Sequence, residues 1–205
     1  MAFIPSYIRL FEEGDLQQRI RLLKEFLKEC RLCPRECGVN RLNGEMGVCQ
    51  AGLEPMVSSA FPHFGEEAPL VGYQGSGTIF LAHCNLRCIF CQNYDISHLG
   101  NGEPMTPSDM ARVMVRLQEM GCHNINFVTP PHYAPQIVAS LPEAIEKGLR
   151  LPIVYNCSGY ESIEVIRLLE GVVDIYMPDA KYMDGKHSKQ FSNAPDYPEI
   201  IKEVF

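Results

Sequence analysis

The sequence predicts an α/β protein built on a parallel sheet, and two features carry the prediction. Short, continuous apolar runs recur at Thr78–His83, Ile125–Thr129, Ile153–Cys157 and Val173–Met177. Strands without polar alternation are those buried on both faces, as when crossover helices cover a parallel sheet. Between these runs lie segments with apolar residues at helical spacing, giving strand–helix–strand units of the usual length. At 205 residues and 46% hydrophobic side chains, the chain has enough apolar matter for such a core.

The elements follow in order. Asp15 is a plausible N-cap, with Leu16, Ile20, Leu23 and Leu27 on one face of a first helix. From Cys30 to about Gly75 the periodicity disappears. Cys33-Pro34, Asn43-Gly44 and Phe61-Pro62 punctuate this stretch, which reads as loop folded around a metal. After the first strand, Thr106-Pro107-Ser108-Asp109 supplies a capping threonine, proline at N1 and an acid at N3, followed by Met110, Val113, Met114 and Leu117 at helical spacing. A second helical pattern runs through Ile137, Val138, Leu141 and Ile145, interrupted by Pro142; a third holds Ile163, Ile166, Leu169 and a terminal Gly171. The division that results is an N-terminal helical, cysteine-rich accessory segment, 1–74, and a strand-and-helix body, 75–205.

Composition narrows the function classes. A net charge of −7 gives no global attraction to nucleic acid. No apolar run approaches the ~20 residues needed to cross a bilayer. The first residues lack the basic and apolar regions of an export signal, so a cytoplasmic location is expected. Nine cysteines, an odd count in such a setting, argue against a disulfide framework and for metal ligation.

The cysteines form two groups. Cys84, Cys88 and Cys91 make a C-x3-C-x2-C triplet directly after the first strand. Three thiolates on one tight loop can hold three irons of a [4Fe–4S] cluster and leave the fourth open for chemistry. With His83 and His98 nearby, zinc is the other option. Cys30, Cys33, Cys37 and Cys49 supply four soft ligands for zinc or a second iron–sulfur cluster, their spacing unlike the paired C-x2-C of a zinc ribbon. Cys122 and Cys157 stand alone and read as small buried hydrophobes.

The triplet, with Gly75-Ser76-Gly77-Thr78-Ile79-Phe80, Gln92-Asn93, Asn124 to Pro130 and Asp174 to Asp179, resembles the radical S-adenosylmethionine superfamily. Within it the chain is similar to the branch of the pyruvate formate-lyase activating enzyme. The resemblance covers Cys30 to about Met183. It implies a partial (β/α) barrel of parallel strands, shortened at its C-terminal side, since four strands stand where six are usual; the fourth would be an open edge. It implies a [4Fe–4S] cluster on Cys84, Cys88 and Cys91, with Phe90 bordering the adenine of S-adenosylmethionine. It further implies an oxidoreductase, served by a flavodoxin- or ferredoxin-type one-electron donor. This enzyme would cleave that cofactor reductively to methionine and a 5′-deoxyadenosyl radical, which takes hydrogen from a protein glycine or a small substrate.

Strand ends at the carboxyl edge are where β/α architectures bind ligands, which points to Asn126, Thr129, Asn156, Ser158, Asp179 and Lys181. Met177-Pro178-Asp179-Ala180-Lys181 matches the family's Met-x-Asp-x-Lys, which gives Asp179 and Lys181 a cofactor-proximal role; a buried ion pair is the structural alternative. A carboxylate that the related enzymes carry after one strand is missing from Asn156-Cys157-Ser158-Gly159. Their Gly-Gly-Glu segment is replaced by Asn126 to Pro130, where Asn126 or Thr129 would supply uncharged hydrogen bonds. Among six histidines, His132 at a strand end is the best functional candidate. The rival function is a noncatalytic iron–sulfur electron carrier or a zinc-stabilised interaction protein.

Overall fold

A computed structural model describes residues 3–205. Along the chain come α1 (Ser6–Glu13), α2 (Asp15–Glu25), β1 (Met56–His63), α3 (Ala68–Val71), β2 (Ser76–Leu81), α4 (Tyr94–Ser97), β3 (Glu103–Pro104) and α5 (Pro107–Glu119). Then follow β4 (Ile125–Val128), α6 (Ala134–Glu146), β5 (Ile153–Cys157), α7 (Ile163–Leu168), β6 (Ile175–Pro178), α8 (Gly185–Ser192) and α9 (Tyr197–Val204). The strands form one mixed sheet in the order β3-β1-β2-β4-β5-β6.

The four expected strands are present and parallel, pairing Gly77 with Ile125, Ile125 with Ile153, and Val154 with Ile175. Ile79, Ile125, Phe127, Ile153 and Val154 are buried, as continuous apolar runs require. The last strand begins two residues later than expected. Val172 and Val173 sink into the core, and the Asp174 carboxylate accepts hydrogen bonds from the Ile153 and Ser6 amides at 3.0 and 2.9 Å. Helices α5 and α6 pack on each other, and α2 packs on α6. The α5 start is the capping box read from the sequence: the Asp109 amide donates to Thr106 Oγ1 at 3.1 Å, and the Thr106 amide to Asp109 Oδ2 at 3.0 Å. Helix α6 continues through Pro142. Asp15 is the first helical residue of α2, and Gly14, at φ 83°, caps both α1 and α2.

Two departures matter for the site. The stretch from Cys30 to Gly75 is not loop throughout: β1 pairs antiparallel with β2, from Val57–Leu81 to His63–Ser76, so the sheet is mostly and not wholly parallel. Residues 185–205 supply α8 and α9, which bury Tyr197 and Ile201 against Leu86, Cys88, Tyr160 and Tyr182 in a second small core beside the cysteine loop. The outer strand β6 leaves Ile175 and Tyr176 more than one-third exposed.

Candidate functional site

A cleft of about 760 Å³ opens at the carboxyl ends of β2, β4, β5 and β6. It has the size of a site for a nucleoside-sized ligand. Cys84, Cys88 and Cys91 all line it, together with Phe90, Thr129, Asn156, Ser158, Asp179 and Lys181. The structure thus brings together the whole triplet and most of the strand-end candidates, although they come from four separate strands.

The cysteine loop is shaped by its main chain. His83 and Arg87 take left-handed φ of 70° and 53°, and the Cys91 amide closes a turn onto the Cys88 carbonyl at 3.1 Å. Such conformations in non-glycine residues cost energy and persist where the surroundings enforce them. The enforcement is visible. The buried Asn85 Nδ2 donates to the Tyr160 carbonyl at 2.6 Å, and the Ile89 amide to the Phe191 carbonyl at 2.9 Å. Arg35 reaches across from the N-terminal segment and donates to the carbonyls of Asn85 (3.0 Å), Leu86 (3.2 Å), Ser192 (2.6 Å) and Asn193. Desolvation pushes the Cys84 thiol up to about 11, while the Leu86 and Arg87 amides favour its thiolate and Cys88 and Cys91 oppose it. Ser97 Oγ donates to Cys91 Sγ at 3.3 Å. Amide and hydroxyl donors aimed at sulfur suit thiolate ligands of a metal cluster.

All nine cysteines are free, so the trio is not bridged. Among the described residues no three His, Cys, Asp or Glu side chains close around a point that a single ion could fill. A cubane cluster spreads its ligating sulfurs over several corners and does not need them to converge.

The cleft walls carry unpartnered polar groups. Ser158 Oγ and His83 Nδ1 are buried without a hydrogen-bond partner. Buried polar atoms are normally satisfied, so orphans gathered round one cleft fit a polar ligand. Asn126 differs from the other candidates in place: it lies fully buried in mid-strand below Val128, beside the Glu66 carboxyl and off the cleft surface. Thr129, at φ 61°, ends β4 with its amide donating to the Asn156 carbonyl at 2.8 Å. Asp179 and Lys181 pair at 2.7 Å with the carboxylate 61% exposed, so this is a solvated pair at the cleft and not a buried one. Phe90 is exposed, its ring 6.0 Å from Phe191 and 6.1 Å from Tyr182. His132 does not reach the cleft: it is buried behind the loop, Nε2 lies 2.9 Å from the Ala82 carbonyl, and desolvation lowers its pKa to about 3. Cys157 is buried as expected and also lines the cleft.

Three site residues carried no sequence signal. Glu66, in the loop after β1, faces the cleft, and burial pushes its carboxyl pKa up against the pull of His63. Glu66 therefore brings a carboxylate to a site whose strand ends lack one. Arg35 is the second. The third is Tyr197, whose hydroxyl shares its hydrogen between the carbonyls of Ser158 (2.6 Å) and Asp179 (2.7 Å) and accepts from the Lys181 amide at 2.9 Å. One phenol thereby ties the ends of β5 and β6. Tyr197→Phe keeps the ring against Tyr160 and Tyr182 but removes the donor, and it is expected to cost about 1–3 kcal/mol in urea denaturation.

The described residues also gather the N-terminal cysteines. Cys30, Cys33, Cys37 and Cys49 line one small, nearly enclosed cavity with Arg41 and His132.

A family model described as the radical SAM superfamily matches residues 78–204. The chain is 33% identical over 194 residues to the uncharacterized protein MJ0674 of Methanocaldococcus jannaschii, over 91% of this chain and 55% of that protein. It is 26% identical over 161 residues to the uncharacterized protein MJ0808 of the same organism, over 68% of this chain and 46% of that protein. The chain spans about half the length of the curated relatives it matches. No solved structure matches it. With the match running from the first parallel strand to the last helix, across the cysteine loop and the cleft walls, the chain belongs to the radical SAM superfamily.

Proposed function

We propose that this chain forms the catalytic part of an oxidoreductase akin to the pyruvate formate-lyase activating enzyme, taking hydrogen from a protein glycine or a small substrate. The observation that carries this is the placing of Cys84, Cys88 and Cys91 on one loop at the mouth of a cleft walled by Ser158, Asp179 and Lys181. The three cysteines would hold a [4Fe–4S] cluster, and Phe90, Ser158, Asp179 and Lys181 would receive S-adenosylmethionine. When bound and reduced by one electron, these groups supply a hydrogen-abstracting radical.

The chain's own residues bind, orient and shield. Phe90 offers an aromatic face, Ser158 Oγ an unpaired hydroxyl, and the Asp179–Lys181 pair charges of both signs for the ends of an amino acid. Tyr197 holds the strand ends that present them. Nine free cysteines and an oxygen-sensitive cluster fit a cytoplasmic setting with a flavodoxin- or ferredoxin-type donor. Residues 1–74 serve as an accessory segment to a 75–205 core, with its cysteine quartet a second metal site, iron–sulfur or zinc.

The test is anaerobic reconstitution with iron and sulfide, then dithionite and S-adenosylmethionine. The expected product is 5′-deoxyadenosine in multiple turnovers. A chain that carries the cluster and forms none is the noncatalytic alternative, and that result would sink the proposal.

A further inference from the structure

The cleft extends well away from the cysteine loop. Strand β1 runs antiparallel to β2 and ends at His63, which pairs with Ser76, the first residue of β2, whereas the cysteine loop begins beyond Leu81, the last. Both levels line the same cleft: His63, Gly65 and Glu66 the lower, Cys84, Cys88 and Cys91 the upper. The Glu66 carboxyl lies beside Asn126, and Asn126 pairs with Thr78, which places it three strand residues, ~10 Å, below the level of Leu81.

This lower end is made of a carboxylate, an amide and aromatic faces. Among the described residues Glu66 forms no ion pair with a lysine or arginine. Glu67 and Asp179 add to the negative field around it, and His63 opposes them. Asn126, 0% exposed, lies just under the cleft surface with both amide atoms unpartnered. Buried polar atoms are normally satisfied, so an orphaned amide beside a carboxylate fits a donor brought by a ligand. Phe80 lines the cleft at this level, its ring 5.7 Å from the rings of both Phe61 and His63. A carboxylate flanked by aromatic rings suits an organic cation, through charge-assisted hydrogen bonds and attraction to the ring faces. An anionic group in the same recess would be repelled.

We propose that Glu66, with Asn126 and Phe80 around it, binds the ammonium group of a small amine substrate whose other end reaches the cysteine level of the cleft. This rests on the function proposed above and narrows it, because a glycine within a protein backbone offers no cation to such a recess. The ammonium of S-adenosylmethionine is the other source of the same chemistry. It has the Asp179–Lys181 pair and the free Ser158 hydroxyl available to it.

The probe is benzylamine, titrated calorimetrically into the anaerobically reconstituted full chain, with benzyl alcohol as the neutral molecule of the same shape. Benzylamine is expected to bind saturably at one site per chain, and the alcohol at least ~10-fold more weakly, the worth of one hydrogen bond to a charged group. Glu66→Gln should weaken benzylamine by a similar factor, while Glu67→Gln, at the exposed neighbouring carboxylate, should leave its affinity nearly unchanged. Saturating S-adenosylmethionine should also leave it unchanged. Absent benzylamine binding, equal binding of the alcohol, or an affinity indifferent to Glu66→Gln overturns the proposal. The comparison with the alcohol uses the unaltered chain, so no folding defect can imitate its result. Competition between benzylamine and S-adenosylmethionine would assign Glu66 to the cofactor and equally overturn it. Benzylamine binding that depends on Glu66, in a chain that forms no 5′-deoxyadenosine, would count against the radical chemistry and not against this site.

Discussion

A Cys88→Ala chain is expected to lose both the cluster absorption of the Cys84–Cys91 site and 5′-deoxyadenosine formation. Cys88 is buried against Leu86, Tyr182 and Tyr197, so alanine removes one sulfur from a packed site and keeps the backbone. The packing loss is modest, on the order of 1 kcal/mol for a buried group of that size. The chemical loss is larger, because two cysteines no longer supply the three corners of a cubane that must leave one iron open. Removing a group behind a metal ligand costs ~10–100-fold in activity, and removing the ligand itself should exceed that. Cys122→Ala is the matched control: Cys122 is equally buried but sits in the main core away from the cleft, and it should retain both signals. Equal activity in the two variants would remove Cys88 from the ligand set.

The second large effect is on stability against pH. Glu161 is buried, with Tyr155 donating to its Oε2 at 3.1 Å and Oε1 unpartnered. Desolvation raises its carboxyl pKa from 4.5 to about 7, against the pull of Tyr155 and Cys157. The folded state therefore keeps a proton that the unfolded state releases. Below pH 4.5 the two states carry the same charge and the contribution is fully present; as pH rises toward 7 it is lost, and above 7 the loss is complete. The difference amounts to about 3 kcal/mol. Glu161→Gln removes the titration but keeps the shape. Urea denaturation across pH 5 to 8 should show the native chain losing stability relative to the glutamine variant by about that amount. A constant difference between the two would show that Glu161 is charged in the folded state throughout.

What the sequence disclosed was what is encoded locally. The four parallel strands are continuous apolar runs, the α5 start is spelled out within Thr106–Asp109, and the cysteine trio is spaced within eight residues. Strand β1 escaped because Ser58, Ser59 and Pro62 dilute its apolar pattern and its pairing is antiparallel, with residues lying between the exposed and buried extremes. Arg35, Glu66 and Tyr197 escaped for a different reason. Each meets its partners from a distant part of the chain, Arg35 from fifty residues before Asn85 and Tyr197 from thirty-nine after Ser158, and no local pattern announces such meetings. Of the strand-end candidates, Ser158, Asp179 and Lys181 line the cleft, whereas Asn126 lies one layer deeper because strand ends have depth as well as position.

Arg35 sits between Cys33 and Cys37, and its guanidinium spans the main chain of the other cysteine loop and the end of α8. A newly synthesised chain can seat that side chain only when all three segments have arrived. Metal loading at the two proposed cysteine sites is therefore expected to be concerted: partially matured protein should be scarce, and a metal supply too small for every molecule should yield complete and empty chains side by side.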